Sequence, residues 1–273
     1  MSPLNAIPLA AQVRGAGERI ACLHSSTASG NQWRSLQELM AARWEVLAPD
    51  LHGHGRSPDF APSTRSALHA DAAAVAVLTG IDSQGVHLVG HSYGAAVALQ
   101  IALRHPQQVR SLTLYEPVAF GLMARDDAAR GEIEEIAASV ASLVRAGRLD
   151  DASRVFVAYW GGSRAWAALG EGQRQALSAR MPAVPRHFDA LFQLDWDAAM
   201  LQRLKMPVLL MQGSATRASA RRVSELLGQA LPQAQRVLLE GAGHMGPMTH
   251  SGTVVRAMVA HLDPQLAGRR SLV

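Results

Sequence analysis

Short, largely apolar runs alternate along the chain with longer stretches in which apolar residues recur every three or four positions. The runs at 8–13, 19–24, 45–48, 86–89, 110–115, 208–212 and 236–239 read as strands, most of them buried on both faces. The helical period predicts helices at 32–42, 66–79, 93–105, 220–230 and 251–261. The third of these stops before Pro106, because the residue preceding a proline is pushed out of the helical basin. Alternating strands and helices predict an α/β fold with a mostly parallel sheet covered on both faces. Too few residues separate the first two strands for a crossover, so they are expected to form a hairpin.

The stretch 119–197 breaks this alternation. It carries helical patterns alone, at 132–145, 150–159, 172–180 and 186–194, together with Trp160, Trp166 and Trp196. Inserted between two strands, it is expected to form a cap over the sheet edge or extra packing on the side. The implied division is a core of residues 1–118 and 198–273 and a cap of residues 119–197. Residues 263–273 read as a poorly packed end.

Composition narrows the possibilities. With 273 residues, 48% of them hydrophobic, the chain can bury the core of one α/β domain with an insertion. No apolar run reaches the ~18 residues of a membrane span, and residues 1–12 lack the basic and apolar regions of a secretory signal. The single cysteine, Cys22, sits in an apolar run and excludes an internal disulfide. The expectation is a cytoplasmic monomer or homodimer with no membrane partner. The net charge of +4 comes from scattered arginines, often beside acids as in Arg125-Asp126-Asp127, and no basic run interleaves with aromatics. A nucleic-acid partner is therefore not expected, and a small-molecule substrate is.

The sharpest chemical feature is Gly90-His91-Ser92-Tyr93-Gly94, between the strand at 86–89 and the helix that follows. This Gly-x-Ser-x-Gly pattern is a nucleophile elbow. The turn is so tight that the serine adopts strained backbone angles, and side chains two positions either way would collide. The hydroxyl stands exposed at the tip, beside a helix N-terminus that favours developing negative charge.

The chain as a whole resembles the α/β-hydrolase fold superfamily over roughly residues 8–262. Besides the elbow, Leu23-His24-Ser25-Ser26 followed by Trp33 resembles the family's oxyanion loop, with Ser25 where glycine is usual. Pro49-Asp50-Leu51-His52-Gly53-His54-Gly55-Arg56-Ser57 resembles its Asp-x-x-Gly-x-Gly-x-Ser loop, and Gly241-Ala242-Gly243-His244 the loop of the catalytic histidine. The resemblance implies a core of about eight strands with an inserted helical cap. It also implies His244 as general base, since a serine hydroxyl needs a neighbouring base to become nucleophilic. His91 should point away from the serine hydroxyl, His24 should support the oxyanion loop, and His52 and His54 lack a third metal ligand.

The acid departs from the family pattern. After the strand at 208–212, where the family commonly carries it, the sequence reads Gly213-Ser214-Ala215-Thr216-Arg217-Ala218. Some members carry the acid one strand beyond the nucleophile, which here is Glu116. The alternative for Glu116 is anchoring the first turn of the cap; Asp50, Asp195 and Asp197 are weaker candidates. The backbone N–H groups of Tyr93 and Ser26 are expected to form the oxyanion hole, with Ser25 as the nearby alternative. Ser25, Trp33, Trp160 and Met245 are candidates to contact substrate, although Trp33 and the cap aromatics also suit core packing. No metal or organic cofactor is implied.

The expected function is hydrolysis of an ester or related acyl compound through an acyl-enzyme, carboxylesterase-like in type. The same residues would also serve a carbon–carbon bond hydrolase, a lyase, a perhydrolase or an acyltransferase. A ligand-binding protein with little turnover stays open beside them.

Overall fold

Alternation of apolar runs with amphipathic stretches yields a layered structure, described for residues 7–269 by a computed structural model. The strands are β1 (Ala11–Arg14), β2 (Glu18–Leu23), β3 (Trp44–Pro49), β4 (Val86–His91), β5 (Val109–Tyr115), β6 (Val208–Gly213) and β7 (Gln235–Leu239). Among the described residues these seven, against an expected eight or so, form one sheet in the order β1-β3-β2-β4-β5-β6-β7. Every neighbouring pair is parallel except β1 and β3. The fold is that of an α/β hydrolase.

The expected hairpin is not formed. β3 lies between β1 and β2, pairing with the first antiparallel and the second parallel. β2 is buried over its last four residues and takes a partner on each edge, whereas β1 is half to fully exposed, as suits an edge strand. The corner between them passes over the end of β3. Gly15 and Gly17 make this possible with φ of 76° and 123°, and a Cβ at Gly15 would strike the backbone of Ala41 and Trp44.

Two apolar layers sandwich the sheet. On one face, α1 (Arg34–Met40) and α12 (Ser251–Leu262) bury Leu36, Met40, Val254 and Met258 with Cys22 and Trp33. On the other, α2 (Ala67–Thr79), α3 (Tyr93–Arg104) and α10 (Ala218–Ala230) bury Leu68, Val75, Val97 and Val223. Each such side chain contributes roughly 1.5–3 kcal/mol of burial.

Between β5 and β6 the chain runs through α4 (Ala128–Arg145), α5 (Leu149–Gly161), α6 (Ala165–Ala168), α7 (Glu171–Ser178), α8 (Val184–Phe192) and α9 (Ala198–Gln202). The apolar side of these helices joins the second layer through Phe120, Trp160, Phe188 and Leu191. After β7 come α11 (Gly246–Thr249), α12 and α13 (Pro264–Arg269). The expected loose end is tied down at its start. Asp263 is buried, accepting from the indole N–H of Trp44 at 3.1 Å and pairing with Arg43 at 2.9 Å; residues 270–273 lie outside the described part. No described helix is long and apolar enough to cross a membrane.

Candidate active site

The elbow forms where β4 turns into α3. Ser92 has φ 57° and ψ −121°, a conformation that L-residues rarely adopt. Its N–H donates to the carbonyl of Tyr115 at the end of β5, and its carbonyl accepts from Ala95 and Ala96. A Cβ at Gly94 would collide with the carbonyls of Leu23 and His24, and one at Gly90 with the first turn of α3. Both glycines let the turn pack against β2 and the helix.

His244 stands in the loop after β7, its Nε2 2.9 Å from Ser92 Oγ. Its Nδ1 lies 2.7 Å from Oε2 of Glu116, which follows β5 and is itself at φ 42°. Glu116 is fully buried and accepts two further hydrogen bonds, from the Gly213 N–H at 2.8 Å and the Thr216 hydroxyl at 2.6 Å. The loop that lacks an acid thus supplies donors to one. A carboxylate facing Nδ1 places the ring proton there and leaves Nε2 free to accept from Ser92.

The His244 loop is held from beneath. His91 points away from Ser92 Oγ and lies 2.8 Å from the His244 carbonyl through Nε2, while its Nδ1 meets the Gln32 amide at 3.1 Å. The Tyr115 hydroxyl donates to the Gly243 carbonyl at 2.7 Å. Burial, followed by the neighbouring His244, holds the His91 pKa well below its ordinary value of 6.5.

The segment Ser25-Ser26-Thr27 lies opposite the elbow. The Ser25 N–H and hydroxyl both donate to Gln32 Oε1, at 3.1 Å each. Among the described residues, the Ser26 and Tyr93 N–H groups have no protein acceptor. Thr27, at φ 65°, donates its N–H to His54 Nε2 and accepts from Arg180 at 2.8 Å. His24 accepts the Leu51 N–H through Nε2, and burial pushes its pKa down to about 3. Asp50 accepts from the Gly30 and Arg56 N–H groups and braces two loops. Thr27, Ser92 and Glu116 are the only described non-glycine residues with positive φ, and all three lie here.

A narrow apolar crevice of about 10 Å³, room for roughly one water, opens beside Ser92 and Ser26, walled by Phe120, Phe156, Trp160, Phe188 and Leu191. Trp160 also covers His244, with ring centroids 3.9 Å apart. Of the other candidate contacts, Ser25 is occupied by Gln32. Met245 is half-buried against the core. Trp33 packs with α1 and α12 on the opposite face of the sheet, because its apolar bulk completes that layer. Asp195 is exposed and Asp197 caps α9 through the Met200 N–H, so neither reaches the crevice lining. His52 is bound to Asp71, which also accepts from the Tyr93 hydroxyl at 2.7 Å.

Sequence reasoning missed His187 of α8. Its ring stacks on Tyr93 at 3.7 Å between centroids, and its Nδ1 meets Ser26 Oγ at 2.8 Å. A signal existed: Val184, His187, Phe188 and Leu191 fall on one helical stripe, so this histidine sits on the apolar face of the helix.

The model of the α/β hydrolase fold family matches residues 18–251. A pimeloyl-[acyl-carrier protein] methyl ester esterase of Neisseria meningitidis is 28% identical over 86% of this chain and 89% of its own. The lipase LipV of Mycobacterium tuberculosis is 41% identical over 36% of this chain and 37% of its own. The chain spans less than half the length of several curated relatives that it matches. Among solved structures, a thermophilic esterase from Thermogutta terrifontis superposes with a TM-score of 0.76 at 23% identity, covering 93% of this chain and 92% of that one.

Proposed function

Because the chain belongs to the α/β-hydrolase fold family and has esterase- and lipase-like homologues, we propose that it is a serine esterase acting on small carboxylic esters through an acyl-enzyme. The observation that carries this reading is the continuous line from Ser92 Oγ through His244 to Glu116, at 2.9 and 2.7 Å. Ser92 Oγ attacks the ester carbonyl as His244 Nε2 takes its proton. The N–H groups of Ser26 and Tyr93 stabilise the oxyanion, each such donor contributing about 3 kcal/mol. His244 then protonates the departing alcohol, water enters, and the sequence repeats to free the acid. Glu116 keeps the ring in the productive tautomer and stabilises the imidazolium.

The apolar walls of the crevice support a hydrocarbon-rich substrate part, and closure over Ser92, only 7% exposed, supports exclusion of bulk water. The test is hydrolysis of short nitrophenyl esters by the protein and by Ser92→Ala. Turnover is expected to fall by about 10⁶-fold in the variant. Equal rates for the two proteins would overturn the reading.

A further inference from the structure

Besides the indole N–H of Trp160, His187 is the polar side chain that the inserted helices contribute to the crevice lining, and the one that titrates. It is 1% exposed, with its ring between Tyr93 and His54, stacked on each at interplanar angles of 8° and 15°. Nδ1 is taken by Ser26 Oγ, whereas Nε2 is buried with no hydrogen-bond partner among the described residues. Such a nitrogen is costly to leave unmet. Burial, followed by the nearby His54 and His24, holds its pKa well below 6.5 and so favours the neutral ring.

The histidines beneath it differ. His24 and His54 each accept a backbone N–H through Nε2, from Leu51 and Thr27, and lie against a carbonyl through Nδ1. Both rings are fully used in holding loops. His187 has spare capacity, and it sits on the crevice wall beside Ser26, at the proposed oxyanion site. We infer that His187 Nε2 is a substrate-binding group that selects esters carrying a hydroxyl within a few bonds of the scissile carbonyl. The Ser26 hydroxyl can donate to Nδ1 or accept from it, so Nε2 is either a donor or an acceptor, and a hydroxyl satisfies both. The inference rests on the esterase reading for the position of the carbonyl.

The experiment compares wild type, His187→Phe and His187→Gln on two ester pairs. Nitrophenyl butyrate and nitrophenyl 3-hydroxybutyrate place the hydroxyl on the acyl side; ethyl butyrate and 2-hydroxyethyl butyrate place it on the alcohol side. Phenylalanine keeps the stacked ring, and glutamine restores a terminal donor and acceptor. In one pair, the ratio of kcat/KM for the hydroxylated ester to that for the plain ester should fall about tenfold in His187→Phe, the equivalent of ~1.4 kcal/mol, and recover in His187→Gln. The pair that responds identifies the side. Unchanged ratios in both pairs, or an equal fall on all four esters, would overturn the inference and leave His187 a brace for Ser26. If His187→Phe does not fold, the wild-type ratio is compared with that for hydroxide-catalysed hydrolysis of the same esters, and agreement between the two is the overturning result. If the wild type cleaves none of the esters, the esterase reading fails separately. Calorimetry with the two halves of the esters then decides about His187: either 3-hydroxybutyrate over butyrate or ethylene glycol over ethanol should bind about tenfold more tightly, and equal affinities in both pairs would overturn the inference.

Discussion

At the sheet edge, Ser92, Glu116 and Thr27 hold strained backbone angles inside a mesh of hydrogen bonds. Across the crevice, the helices inserted between β5 and β6, which we propose act as a cap, make largely apolar contacts with the site, with His187 and Arg180 as polar links to the Ser26-Thr27 segment. The edge needs particular residue types at particular angles, because few residues tolerate such geometry and fewer would serve the proposed acyl transfer. The cap needs only volume and a face of the right polarity, so many sequences would serve.

The largest test of this contrast is Glu116→Gln. It keeps the shape of the edge but loses the charge facing His244, and kcat is expected to fall about 10⁴-fold while melting temperature changes little. Activity near that of the wild type would remove Glu116 from the proposed mechanism. Acid provides the next test. Burial is the leading cause of the lowered pKa of His24, His54, His91 and His187. The unfolded chain therefore binds protons that the folded one refuses. The stability of the neutral rings is complete above about 6.5 and is lost as pH falls toward the folded values. One unit below 6.5, a ring that stays neutral in the folded chain removes at most about 1.4 kcal/mol. Urea unfolding at pH 7.5 and 5.5 should differ by several kcal/mol, and a flat profile would mean that these rings are not buried neutral.

Phe188→Ala addresses the cap. This residue is 5% exposed within the apolar layer, and its loss should cost about 3–5 kcal/mol in denaturant unfolding. A cost below 1 kcal/mol would show that the cap is not packed as one layer with the core. The smallest effect is expected from Thr216→Val, which removes one of the donors to Glu116 with little change in volume. A fall of about tenfold in kcat at steady KM, ~1.4 kcal/mol, is expected from one charge-assisted hydrogen bond. No change would mean that the Gly213 N–H and His244 suffice to hold the carboxylate.

The same contrast explains what was legible beforehand. The elbow was readable because its glycines are forced by collision, and the strands because their apolar runs have no other use. The absence of an acid after β6 redirected attention to Glu116, the residue now found against His244. Strand neighbours were harder. Apolar pattern marks β1 and β2 as strands but does not encode that β3 slides between them; Gly15 and Gly17 were the local hint. Trp33 stayed open between core and crevice, and His187 went unnoticed, for one reason: which face a side chain presents depends on tertiary packing, and a large aromatic near a loop suits core and crevice alike.

Glu116 is followed at once by Pro117 and then by the first crevice residue, Val118. The peptide leaving the carboxylate is thus the stem on which the cap is mounted. Where an acid stands after β6, a cap could be exchanged as a separate cassette. Here any transplant spliced before residue 118 would rewrite the backbone that sets the carboxylate's angle. A crossover that exchanges these helices in this chain would have to fall after Pro117 to leave the carboxylate's backbone intact, which narrows the room for borrowing new specificities.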